Sequence, residues 1–323
     1  KRMRQRKVKS KMRIVFMGTP DFSVPALTAL VEAGHDVIAV VTQPDKPKGR
    51  GKLVQMTPVK EKALEYGIPV YQPVKARDPE FVSLLKEMKP DAMVVAAFGQ
   101  LLPKTILDIP KYGCVNIHAS LLPKYRGAAP IQFAVINGES VSGITTMMMA
   151  PTLDTGDILD QESVALDEKE TGGSLHDKLS AIGGRLIIKT LKKLEDGTAV
   201  RTVQDEEKMT YFGMLKKSMG DIDWNQDAAS IERLIRGLNP WPSAYTSWEE
   251  KTIKLWEADA LEEEYEGACG QVVKTGKDCL YVKTGKGTLA VKELQLQGKK
   301  RMDTGAFLRG YQIAEGTVFE RSV

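Results

Sequence analysis

The 323-residue sequence is poor in the side chains that staple or metallate small folds, with three cysteines and three histidines. Cys114, Cys269 and Cys279 form no C-x-x-C pair, which argues against a disulfide framework and for a reducing, cytoplasmic setting. His35, His118 and His176 have no ligand-like spacing with those cysteines, so no metal site is expected. Long apolar runs are also missing. None approaches the roughly 18–20 residues needed to span a bilayer, and the basic N-terminus lacks the apolar core of an export signal. No G-x-G-x-x-G follows the first strand-like run, which removes the phosphate grip of a nicotinamide-dependent oxidoreductase. Acidic residues are absent from positions 1–11, which hold seven positive charges (Lys1, Arg2, Arg4, Arg6, Lys7, Lys9, Lys11). The net charge of +4 therefore leaves 4 − 7 = −3 for the remainder. That leader reads either as an RNA-binding arm or, as we prefer, as an appended upstream segment. Nucleic-acid binding must then rest on local patches.

What the chain does contain is alternation. The apolar run 12–17 ends at Gly18 as a strand, Ser23 can cap a helix that Gly34 ends, and 36–42 reads as a second buried strand. A helix after Thr57 and Pro58, a short strand near Val70, a helix capped by Asp78, and strands at 92–97, 114–118 and 144–149 continue the pattern. Strands alternating with helices predict a mostly parallel α/β sheet of Rossmann type. A helix over 174–195 closes this half, and 198–217 reads as a polar linker. Beyond it, one helix (228–236) and short strand-like runs separated by glycines predict a small β-barrel. The expected divisions are a basic leader 1–11, a catalytic domain 12–197, a linker 198–217 and a second domain 218–323.

Asn116 and His118 lie two apart on a strand, so both side chains project from one face at its C-terminal end. Ligands of open parallel sheets bind outside those ends. A carboxamide and an imidazole side by side can aim N–H donors at one developing oxyanion. Asp154, just past another strand, can reach the same crevice. Without further context such a pair is more often a hydrogen-bonded structural one, and Asp154 a turn residue before Gly156.

The motifs are longer than this pair. Asn116, Ile117 and His118, the run Ser120-Leu-Leu-Pro-Lys-Tyr-Arg-Gly-Ala-Ala-Pro130, and Leu153-Asp-Thr-Gly-Asp157 resemble the formyltransferase family that uses 10-formyltetrahydrofolate. Gly18-Thr-Pro-Asp-Phe22, Thr42-Gln-Pro-Asp-Lys-Pro-Lys-Gly-Arg-Gly51 and Asn239-Pro-Trp-Pro242 resemble its branch acting on aminoacylated initiator tRNA. The resemblance runs from about Met12 to the C-terminus. It implies a Rossmann-like catalytic domain followed by an OB-like barrel, with Asn116, His118 and Asp154 catalytic. Ser120, Leu121, Leu122 and Pro123 would line the folate site. The formyl donor would be 10-formyltetrahydrofolate, without a metal. The acceptor would be the α-amine of initiator methionyl-tRNA, and the enzyme would be a monomer with no membrane partner. The loop 43–52 would reach the tRNA through Lys48, Arg50 and Lys52, although such a charge run otherwise reads as a solvated loop too irregular for an element.

A second basic patch spans 274–301, including Lys299, Lys300 and Arg301, and could track a phosphate backbone. Met147, Met148 and Met149 read as core strand. Trp224, Trp241, Trp248 and Trp256 read as packing, His176 as a surface residue after a capping Ser174, and His35 as an imidazolium suited to a helix end. Two other readings stay open: a folate-dependent formyltransferase acting on a small amine (an amino sugar or a glycinamide ribonucleotide), and a non-catalytic RNA-binding module.

Overall fold

The computed structural model describes residues 11–48 and 53–322. The leader 1–10 lies outside them, as do Arg50 and Lys52. The described chain separates into two compact units. One comprises the described residues up to Gly127, Ser142–Val164 and His176–Tyr211; the other comprises Ala128–Val141, Ala165–Leu175 and the described residues from Phe212 on.

The first unit opens with β1 (Arg13–Gly18), α1 (Val24–Glu32), β2 (Asp36–Val41), β3 (Lys46–Lys48), β4 (Leu53–Gln55) and α2 (Pro58–Glu65). It continues through β5 (Val70–Tyr71), α3 (Pro79–Met88), β6 (Ala92–Ala96), α4 (Lys104–Leu107), β7 (Cys114–His118) and β8 (Arg126–Gly127). After α5 (Pro130–Ile136), which belongs to the second unit, come β9 (Val141–Met148), β10 (Ile158–Ala165) and α6 (Gly172–Asp196). Seven strands form one sheet in the order β10-β9-β7-β6-β1-β2-β5. From β7 to β5 every pairing is parallel, and β9 runs antiparallel to β7.

Burial on both faces explains the apolar runs of the central strands. Ile14, Val15, Phe16 and Met17 in β1 and Met93 and Val94 in β6 are fully buried. Each such side chain contributes roughly 1.5–3 kcal/mol relative to exposure. Met147 and Met148 are buried as expected of a core strand, whereas Met149 lies just past the end of β9 and is half-buried. Cys114 is buried at the start of β7, and that burial pushes its thiol up to about 12, so it is a packing residue rather than a nucleophile.

Several local expectations change. Ser23 does not cap α1; its buried hydroxyl donates to the Ala96 carbonyl at 2.5 Å and ties the turn after β1 to β6. Asp78 stands at the N-cap of α3 without a side-chain cap bond, whereas Thr57 does cap α2, accepting from the Lys60 N–H at 3.1 Å. Thr171 and Ser174 cap one another at the start of α6: each hydroxyl accepts from the other's N–H, at 2.9 and 3.0 Å. The loop 43–52 is not irregular throughout. Strands β3 and β4 pair antiparallel, with Lys46 opposite Gln55 and Pro47 opposite Val54.

β11 (Tyr211–Phe212) straddles the boundary in the chain, and the second unit then adds α7 (Ala228–Gly237), β12 (Ala244–Trp248), β13 (Lys251–Leu261), β14 (Val272–Thr275), β15 (Leu280–Lys283), β16 (Thr288–Leu296), β17 (Met302–Asp303) and α8 (Thr304–Gly310). Its main sheet is antiparallel in the order β12-β13-β16-β15-β14, with β17 also paired to β16. Among the described residues these pairings do not close into a barrel. Trp224 is buried in the core and donates to Thr246 Oγ1 at 3.0 Å. Trp248 packs edge-on against Phe307. Trp256 is half-buried between Lys254 and Arg301, and Trp241 is 54% exposed, so the last two are not simple core residues.

Candidate active site

The carboxyl end of β7 delivers Asn116 and His118, as the two-residue spacing requires. Asn116 is half-buried, and among the described residues its carboxamide has no hydrogen-bond partner. His118 is 7% exposed, with both ring nitrogens directed. Nε2 lies 2.8 Å from the Tyr125 carbonyl, an oxygen that only accepts, so Nε2 carries the proton and donates. Nδ1 faces Asp154 Oδ1 at 3.7 Å, too long for a hydrogen bond.

Asp154 is 8% exposed and sits in the left-handed region at φ 55°. Its Oδ2 accepts the Gly127 N–H at 2.8 Å, which joins the β9–β10 connection to the segment after β7. Gly156 makes that connection possible. A Cβ there would lie 1.7 Å from the Met148 carbonyl oxygen, so no other residue fits without moving the backbone. The structure therefore brings together all three residues that the motifs singled out. It also gives the imidazole's Nε2–H to the protein backbone, which leaves Asn116 as the donor open to a ligand.

The 120–123 segment is braced by its polar groups. Ser120 Oγ donates to the Lys124 carbonyl at 2.7 Å, and Thr145 Oγ1 donates to the Ser120 carbonyl at 2.6 Å. The Leu122 N–H reaches Thr145 at 3.0 Å and its carbonyl accepts from Gln161 at 2.9 Å. Leu122 is buried, whereas Leu121 and Pro123 are half-buried and present apolar surface.

Sequence reasoning passed over four residues that hold this site: Tyr125, Arg126, Gln204 and Thr210. The first two lay unremarked inside a quoted motif. Gln204 and Thr210 are ordinary polar residues in a stretch read as linker, with no local signal.

The basic segments divide. In 43–48, Asp45 is drawn to Lys60 at 2.6 Å and Gln72 at 2.7 Å, and the Lys60 ammonium holds its carboxyl below the usual range. Lys46 is exposed, and of Lys48 the backbone lies in β3. In the second unit, Lys283 pairs with Glu264, Lys292 with Asp259, and Arg301 with Glu293. Lys299 and Lys300 are exposed and have no ion pair among the described residues. No group of metal-ligating side chains occurs among the described residues, and no helix there is long and apolar enough to cross a membrane.

Two family descriptions match the chain. That for formyl transferase covers residues 12–191, and that for the formyl transferase C-terminal domain covers 214–312. The chain belongs to the formyl transferase family. A methionyl-tRNA formyltransferase of Agathobacter rectalis is 57% identical over 310 residues, covering 95% of this chain and 99% of that protein. One from Clostridioides difficile is 50% identical over 307 residues, covering 95% and 99%. The relatives thus fall in the branch acting on charged tRNA, as the motifs indicated. Among solved structures, the sugar 3N-formyl transferase WlaRD, crystallised with dTDP and 5-N-formyl-THF, has a TM-score of 0.65 at 19% identity over 90% of this chain and 99% of that one. HypX from Aquifex aeolicus has a TM-score of 0.63 at 19% identity; the match covers 94% of this chain and 49% of HypX. These two share the fold.

Proposed function

We propose that the chain transfers a formyl group from 10-formyltetrahydrofolate to the α-amine of initiator methionyl-tRNA. The observation that carries the reading is the unpartnered Asn116 carboxamide beside the His118–Asp154 pair, in a chain 57% identical to a methionyl-tRNA formyltransferase. The neutral amine adds to the formyl carbon, and its carbonyl electrons move onto oxygen. Asn116 donates to that oxyanion, an effect worth roughly 2.7–4 kcal/mol for one preorganised donor. His118 takes the amine proton at Nδ1 while Nε2 stays fixed to Tyr125, and Asp154 stabilises the resulting imidazolium. The proton then passes to N10 of the folate as the C–N10 bond breaks. Folate rests against the apolar surfaces of Leu121 and Pro123, while Ser120 and Leu122 hold the segment in shape.

The basic segment holding Lys48, Arg50 and Lys52 and the patch at Lys299, Lys300 and Arg301 supply the RNA contacts. In this reading residues 12–197 carry the chemistry, and 218–323 form an OB-like tRNA-binding domain of a cytoplasmic monomer. The test is single-turnover formyl transfer to methionyl-tRNA with wild type, Asn116→Ala, His118→Ala and Asp154→Asn. Each variant should lose about a hundredfold or more in rate. Asp154→Asn near the wild-type rate removes Asp154 from the chemistry. Faster transfer to an amino sugar or a ribonucleotide amine than to the tRNA returns the small-amine reading.

A further inference from the structure

Residues 192–213 fall between the two matched stretches, 12–191 and 214–312, and their sequence is that of a polar connector. Gln204 departs from that character: it is 4% exposed, while 200–203 and 205–211 are exposed. All of its side-chain hydrogen-bonding capacity is used. Nε2 donates to the carbonyls of Asp154 and Gly156, both at 2.8 Å. Oε1 accepts from Arg126 Nε at 3.0 Å and Nη2 at 2.9 Å. Arg126 is itself 3% exposed, and Glu206 pairs with it through two further bonds of 3.0 and 2.6 Å.

A second residue of the same run acts on the other side of the imidazole. Thr210 Oγ1 accepts the Tyr125 N–H at 2.8 Å, and the Thr210 carbonyl accepts the Arg126 N–H at 2.8 Å. Tyr125 is the residue whose carbonyl holds His118 Nε2. Upstream, Thr202 and Ile158 exchange backbone bonds of 2.8 and 2.9 Å, which anchors the run to β10.

We propose that 202–210 is a positioning strap of the catalytic centre. Gln204 sets the backbone of Asp154, and Thr210 sets the carbonyl that orients His118. The inference rests on the reading of Asn116, His118 and Asp154 as the catalytic trio. Physically, Asp154 occupies a left-handed conformation that a non-glycine residue adopts at a cost, and it needs outside bonds to stay there. The side-chain bonds of Gln204 and Thr210 go to the protein around Asp154 and His118. Both act through the residues they hold, and a displacement of about 1 Å at reacting groups costs on the order of a hundredfold in rate.

Gln204→Glu is the sharpest test. A glutamate keeps both bonds from Arg126, so the fold is retained, but it has no N–H for the carbonyls of Asp154 and Gly156. We expect kcat to fall about a hundredfold, with KM for folate and for tRNA within about twofold and only a modest fall in Tm from the two carbonyls left without a donor. Thr210→Val should lose about tenfold in kcat, and Thr210→Ser, which keeps the acceptor, should recover most of it. Wild-type kcat in either Gln204→Glu or Thr210→Val overturns the proposal. So does a loss that merely follows Tm. His118→Ala serves as the control: if it too retains full activity, the catalytic trio has been misassigned and the strap falls with it. An inactive His118→Ala beside a fully active Gln204→Glu sinks the strap alone.

Discussion

His35 follows Gly34, which takes φ 87° to end α1, and its Nδ1 accepts the Met12 N–H at 3.2 Å. Half-burial pushes its pKa below the ordinary 6.5, against an opposing pull from Glu195. An imidazolium there, suggested by position at a helix end, would lose that acceptor. The folded pKa is lower than the unfolded one, so the unfolded chain binds the proton more readily. The stability from neutral His35 is therefore complete above 6.5 and is lost as pH falls through the lowered folded pKa. Urea unfolding of wild type and His35→Gln between about pH 7 and about pH 5 should show a steeper acid loss for wild type. Parallel slopes would rule out this account of His35. The residue was misread because its partner lies 23 positions away in sequence. Asn116 and His118 were legible for the opposite reason: period-two spacing on one strand puts both on the same face. Asp154 needed a whole motif, since alone it reads as a turn residue. His176, read as surface, is partly covered: it meets Asp21 at 3.3 Å and stacks edge-on with Phe22.

At the scale of elements, buried parallel strands announce themselves as apolar runs, and most helix ends carry Pro or Gly. Caps were harder, because Ser23 and Ser174 satisfy sequence rules at which long-range or reciprocal bonds then take priority. The β3–β4 hairpin was hidden by composition. Pro47 lies opposite Val54 in a two-stranded ribbon, where its missing N–H need not break a ladder on the outer side. The β9–β10 connection is the element on which the site depends most. Gly156→Ala would place its methyl 1.7 Å from the Met148 oxygen, so the connection must shift away from β9 and take Asp154 with it. Overpacking of this kind costs about 1–3 kcal/mol, and the displaced carboxylate should lower kcat by about a hundredfold. Chemical denaturation together with single-turnover rates measures both. A variant with native stability and native rate would mean that the backbone there is far more pliant than its packing implies.

At the scale of the whole molecule, the interleaving of the two units leaves no trace in local pattern. Residues 128–141 and 165–175 belong with 212–323, an arrangement set by contacts between distant segments. Charge is likewise a property of placement rather than of sum. The net charge is +4, but residues 1–11 hold seven positive charges and no acid, so the remainder is 4 − 7 = −3 and overall attraction to RNA is weak once the leader is set aside. The cluster at 274–301 is thinner than its composition suggests, because Lys283, Lys292 and Arg301 each have a carboxylate partner. Lys299 and Lys300 remain available, and each phosphate they bind should release counterions. Reversing both to Glu should raise KM for tRNA about tenfold and reduce the slope of log KM against log salt by about 1 for each phosphate no longer bound. The folate KM and kcat at saturating tRNA should not change. Arg301→Ala should alter the slope less and stability more, since its guanidinium is already held by Glu293 and lies 4.7 Å from the Trp256 ring centre. If removing residues 1–11 abolishes the salt dependence while the double reversal leaves it intact, the leader carries the RNA contacts and the patch does not.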